Sequence, residues 1–244
     1  MFEQATRSIS TSEAKLRVLE RLSCSRAATL ALFEGLEHAT FCRQAHPDFS
    51  PVGWHLGHIG YTEAHWLLER CAGQPLPFPE YRRVFAVDSL PKALRSNLPD
   101  QGEVRHYLNA IRARVLLYLE EAPLEHQERL WRWLVQHESQ HGETVAIVLQ
   151  LQRLTQLANP VMSGPPQELM QANRYEQLAQ SIFIEAGNFE QGSDSVDALD
   201  NERPAHRVHL EPYWIDLYPV TRAQYRAFMS AGGYHERCWW SEEG

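Results

Sequence analysis

The chain has 244 residues, 43% of them hydrophobic and 22% charged, with a formal net charge of −8. That acidic balance argues against a nucleic-acid backbone as partner, and no apolar run is long enough to span a bilayer. The start, MFEQATRSIS, lacks a basic flank leading into a hydrophobic core, and the four cysteines form neither a C-x-x-C pair nor a dense framework, so a cytoplasmic location is expected.

Leu16, Leu19, Leu22, Ala27, Leu30 and Phe33 recur at helical spacing, predicting a first helix from Ser12 to about Glu37. A second runs to about Cys71, with Ser50 as N-cap and Pro51 as first helical residue. It carries Trp54, His55, His58, Tyr61, His65 and Trp66. His58 shares a stripe with Trp54, Tyr61 and His65, whereas His55 lies on a neighbouring one. Five prolines between Ala72 and Gln101 exclude a continuous helix there, and a connection of that length in a compact domain is usually functional. A third helix is predicted from about Gly102 to Glu121, and a fourth from about Leu124 to Leu157.

In the fourth, Leu134, His137, His141, Val145 and Val148 form one helical stripe, so two imidazoles a turn apart point into the core. A single histidine so placed reads as a core residue satisfied by hydrogen bonds. Two at ligand spacing, beside Glu138 and Glu143, favour metal binding. His137 to His141 also fits H-E-x-x-H, the zinc-peptidase pattern, though Gly142-Glu143-Thr144-Val145 lacks the metzincin continuation.

Four long amphipathic segments in series predict an antiparallel bundle over residues 1–159, with sites between facing helices. Residues 160–180 read as a linker with a short helix. From residue 181 to 244 the texture becomes β-rich, broken by Gly, Pro and Asp, with Thr221 capping a short helix through Met229. The fold class is therefore α+β.

Three stretches carry a resemblance: SPVGWHLGHIGYTEAHWLLE (Ser50 to Glu69), HESQHGET (His137 to Thr144), and FIEAGNFEQGS with NERPAHRVHLEPYWIDLYPVT (Phe183 to Thr221). Together, in this order, they resemble the ergothioneine-biosynthesis sulfoxide synthases and their ovothiol and selenoneine relatives. The resemblance implies a DinB-like four-helix bundle followed by the N-terminal part of a formylglycine-generating-enzyme-like (sulfatase-modifying-factor) domain. It implies Fe(2+) on His58, His137 and His141, and removes the peptidase-base role from Glu138. Three neutral imidazoles leave iron(II) its full charge and about three vacant octahedral positions. Glu138, Glu143 or a backbone group is expected to orient the rings.

The resemblance further implies oxygen-dependent joining of sulfur, or selenium, to the imidazole of trimethylhistidine. Lys92 and Arg95 stand where relatives often show two arginines, and are expected to bind the carboxylates of the thiol substrate. The proton donor is expected beyond Gly244, which would make the chain a fragment, or one half of a split enzyme completed by a second polypeptide. Two other readings stand beside this one: a DinB-like metal-dependent thiol transferase using the bundle alone, and a noncatalytic metal-binding or partner-binding module. His55 and His65 are expected not to be metal ligands.

Overall fold

A computed structural model describes residues 11–156 and 180–242; the predicted linker helix lies outside them. The chain is α+β, with a helix-rich first part and small antiparallel sheets in the second. It divides into two compact units, residues 1–160 with 195–199, and residues 161–194 with 200–244. Among the described residues no helix is long and apolar enough to cross a membrane.

The first unit contains α1 (Thr11–Ala31), α2 (His38–Cys42), α3 (Val52–Glu63), α4 (Arg82–Phe85), α5 (Gln101–Glu121) and α6 (Leu124–Gln156). Helix α1 packs on α6, and α3 packs on both α5 and α6. One helical stripe of α5 is buried throughout: Val104, Leu108, Ile111, Val115 and Leu119. Its start is set by a capping box, Asp100 accepting from the Glu103 amide while the Glu103 carboxylate accepts from the Asp100 amide.

Helix α1 buries Leu22 of the predicted stripe and packs Leu19 and Leu30 against the core, but not the whole stripe. Leu16 is 57% exposed and Ala27 is also exposed, whereas Val18, Leu22, Arg26 and Thr29 are buried. The stripe is displaced because it includes a charged residue, which apolar periodicity passes over. The helix also stops at Ala31, short of the predicted Glu37, and Gly35 beyond it takes a positive φ of 65°.

Helix α3 begins at Val52 with Pro51 as N-cap, and no side chain caps it. Ser50 is not the cap: its hydroxyl accepts from Arg95 at 3.0 Å. Past Glu63 the helix continues as a wider π-helical stretch, Ala64–Cys71. Every residue of α3 is buried, and three are glycines at i, i+4 and i+7. A Cβ on Gly53 would collide with the Phe41 ring, one on Gly57 with the Phe85 ring, and one on Gly60 would lie 2.9 Å from Tyr107. Aromatic rings thus lie directly against the backbone of this helix.

The four long helices contribute one buried charge each to a single cluster. Arg26 of α1 donates to Glu138 of α6 at 2.7 Å and to Glu63 of α3 at 2.8 Å. Arg112 of α5 donates to Glu63 at 2.6 and 3.2 Å and to Glu138 at 3.1 Å. Burial alone would raise the Glu63 pKa, but Arg112 and Arg26 outweigh it and hold the carboxyl below its usual range.

The second unit pairs β1 (Ser181–Ile184) with β4 (Tyr213–Asp216), and β2 (Gly187–Gln191) with β3 (His206–Leu210), both antiparallel. Phe183 faces Trp214 in the first ladder. Helix α7 (Arg222–Ser230) carries a capping box of Thr221 and Gln224, as the sequence suggested for Thr221.

Candidate metal centre

His58 of α3 meets His137 and His141 of α6, their ligand-capable atoms all within 4.8 Å of one another. The two histidines of α6 approach Nε2 to Nε2 at 3.1 Å, and their ring centroids lie 4.9 Å (His141) and 5.3 Å (His137) from that of His58. Separation along the chain is bridged by the direct packing of α3 on α6.

The His58 tautomer is fixed by its neighbours. Its Nδ1 lies 2.7 Å from the Phe85 carbonyl, which can only accept, so the proton sits on Nδ1 and Nε2 is the basic nitrogen. Trp54 stacks on the ring at 4.5 Å and 12°, and donates its own N–H to the Val84 carbonyl. The short helix α4 therefore orients His58 through a carbonyl and holds the indole that covers it.

Burial pushes the imidazole pKa values down, His58 to about 4, His137 and His141 to about 3. For His137 and His141 the neighbouring rings add to that effect. At neutral pH the three are uncharged electron-pair donors, the state a metal requires. The donor set suits a divalent transition ion: nitrogen only, no carboxylate in the cluster, no charge to neutralise the ion.

Beside the histidines opens a cavity of about 400 Å³. His58 and His137 line it, with Tyr61, Trp66, Trp133, Arg82 and Asp88 among the other walls. Trp66 and Trp133 stand nearly perpendicular, 79° apart, with centroids 6.2 Å from each other. Arg82 donates to the Tyr61 hydroxyl at 3.1 Å.

His65 lines this cavity too, outside the three-histidine cluster, stacked on Tyr61 and 2.5 Å from the Glu69 carboxylate. His55 is less separate than its helical stripe suggested: its Nδ1 lies 2.8 Å from Nδ1 of His141. Glu138 does not orient the rings, because both its oxygens accept from Arg26 and Arg112, and the same bonds make it unfit as a peptidase base. Glu143 is exposed. The Phe85 carbonyl orients His58, and His55 is the neighbour at Nδ1 of His141.

Neither Lys92 nor Arg95, the residues expected to bind the thiol substrate's carboxylates, is among those lining this cavity. Arg95 is buried and donates to Ser50, to the Leu90 carbonyl and to the Val87 carbonyl, while its guanidinium stacks 4.0 Å from the Trp54 ring. Lys92 donates to the Asp48 carbonyl. The guanidinium that does reach the cavity wall is that of Arg82. In the sequence Arg82 lies in the proline-rich connection between Ala72 and Gln101.

The DinB superfamily model matches residues 21–145, and that of the sulfatase-modifying factor enzyme 1-like domain matches residues 166–244. A hercynine oxygenase from Mycolicibacterium smegmatis is 33% identical over 240 residues, 95% of this chain and 54% of its own. One from Mycolicibacterium thermoresistibile is 34% identical over 239 residues, 94% of this chain and 52% of its own. A formylglycine-generating enzyme from Thermomonospora curvata is 40% identical over 65 residues, 25% of this chain and 22% of its own. The chain spans about half the length of the hercynine oxygenases it matches.

Proposed function

Because the chain belongs to the DinB superfamily and is similar along most of its length to hercynine oxygenases, we propose that it is an iron-dependent oxidoreductase acting on hercynine, the trimethylated histidine. Its reaction would join the sulfur of a thiol, or selenium in its place, to the hercynine imidazole. The balance is complete with one dioxygen: ring C–H and S–H bonds are lost, a C–S bond and a sulfoxide oxygen are gained, and the second oxygen leaves as water with both hydrogens. The observation that carries this reading is the gathering of three histidines, two of which, His58 and His137, line a cavity of about 400 Å³.

In this proposal His58, His137 and His141 hold the metal. Bound there, Fe(2+) would supply the redox capacity that oxygen chemistry needs and that zinc lacks. The chain's own contribution is position. Three protein ligands leave room for both substrates at the centre, and holding sulfur and ring carbon together removes most of the entropic cost of their meeting. The indoles of Trp66 and Trp133 give the cavity apolar walls, and Arg82 offers a planar cation for a substrate carboxylate. We assign these roles to the bundle, residues 1–159; residues 181–244 are read as the first part of a formylglycine-generating-enzyme-like domain, joined through 160–180.

The test is anaerobic loading with iron(II), then oxygen uptake with hercynine plus cysteine or γ-glutamylcysteine, alone and with any second polypeptide that completes the C-terminal domain. Uptake should require both substrates and vanish in His137→Ala. Tight zinc binding with thiol turnover and no oxygen uptake would replace this reading with a DinB-like thiol transferase, which the match of the bundle alone would suit.

A further inference from the structure

His55 lies outside the three-histidine cluster, yet it is 6% exposed and meets one of its members nitrogen to nitrogen. Between Nδ1 of His55 and Nδ1 of His141, 2.8 Å apart, there is room for one proton. Which ring carries it decides whether His141 can serve as a ligand. A neutral imidazole has one N–H and one lone pair. If His55 donates, the proton of His141 must sit on Nε2, the nitrogen that faces Nε2 of His137, and that nitrogen is then closed to a metal. If His141 donates from Nδ1, its Nε2 carries the lone pair and the ligand set is complete.

We propose that His55 is a positioning residue, the hydrogen-bond acceptor that fixes His141 as the Nδ1–H tautomer and so prepares its Nε2 for the metal. The inference rests on the ligand reading of His58, His137 and His141. It follows from the geometry of one contact, together with the absence of another acceptor for the His141 Nδ1 proton among the hydrogen bonds of the described residues. A neutral imidazole offers one nitrogen lone pair, so the His55 ring can accept at Nδ1. As an acceptor at Nδ1, His55 must carry its own proton on Nε2, and that atom is buried without a partner among the described residues.

The assignment places the same kind of support behind two ligands from two different sources. His58 is oriented by a backbone carbonyl, His141 by a side chain three residues before His58 on the same helix, since His55 and His58 both belong to α3. Helix α3 therefore supplies one ligand directly and steers another.

The experiment uses the full chain and zinc as a diamagnetic probe. Long-range nitrogen–proton spectra of histidine-labelled, zinc-loaded protein should show His55 protonated at Nε2 and unprotonated at Nδ1. His55→Leu, which removes the acceptor, should weaken zinc binding roughly 10- to 100-fold, the usual effect of losing an outer partner. His55→Asn should restore most of it, because the amide oxygen falls where Nδ1 was. A zinc form with the His55 proton on Nδ1, or a His55→Leu protein that binds zinc as tightly as the unmodified one, would overturn the proposal. His137→Ala separates this from the underlying reading: if it too binds zinc unchanged, the ligand set itself is wrong, whereas loss there with no loss in His55→Leu refutes only the role of His55.

Discussion

Replacing Arg112 with methionine should unfold the first unit more easily than any exposed charge change can. Its guanidinium makes three bonds to carboxylates and a fourth, at 2.7 Å, to the Leu22 carbonyl. The side chains of Arg112, Glu63 and Glu138 are 12, 3 and 2% exposed, so water cannot take over these bonds. Methionine matches much of the volume but leaves two buried carboxylates to share Arg26. Removing one partner from a buried ionic cluster costs about 3–5 kcal/mol, against about 0–1 kcal/mol for a surface pair. With a urea slope of about 2 kcal/mol per molar, the unfolding midpoint should fall by roughly 1.5–2.5 M. Urea titrations followed by far-ultraviolet circular dichroism at pH 7 would measure it. Arg112→Met with Glu63→Met should recover part of the loss, since Arg26 and Glu138 then remain as a balanced pair. A single-variant cost under about 1 kcal/mol, or a double variant costing the sum of both singles, would refute the view of the four charges as one desolvated unit.

Gly57→Ala would drive a methyl into the Phe85 ring, whose residue supplies the His58 acceptor, so we expect about 1–3 kcal/mol of destabilisation together with weaker zinc binding, read by thermal melting and calorimetry. In the metal-free protein the four clustered histidines bind protons less readily than in the unfolded chain. Their contribution to stability is therefore fully present above about pH 6.5 and is lost as pH falls towards 3–4, at up to about 1.4 kcal/mol per pH unit for each ring; urea midpoints unchanged between pH 7.5 and 5 would contradict this. Arg95→Met should cost about 2–4 kcal/mol by orphaning Ser50 and two carbonyls, while Lys92→Met, at an exposed bond, should stay within about 0.5 kcal/mol in the same titration.

His137 and His141 stood out as polar rings on an apolar helical stripe, whereas His58 joined them through the family resemblance. The span of α5 was equally plain. What escaped the sequence was everything set by contact between helices. Arg26, Glu63 and Arg112 look like surface charges on their own segments, Glu138 like a neighbour of the histidines, and only the packing of four helices gives them one another. The His58 acceptor is a backbone oxygen, which leaves no trace in residue identity. Arg82 and Arg95 have the same chemistry and lie in the same connection, yet one reaches the cavity and the other is consumed by the loop; the difference is a matter of path, not of composition.

The bare face of α3 bears on how this protein could be redesigned. At Gly53, Gly57 and Gly60 there is no side chain to enlarge, shrink or re-aim, and the rings of Phe41, Phe85 and Tyr107 occupy the space an added one would need. The helix that carries His58 is thus closed to tuning from behind. Attempts to change which molecule the cavity admits have to work through Trp66, Trp133, Arg82 and Val87 on its walls, where substitutions alter shape and charge without moving the ligand-bearing backbone.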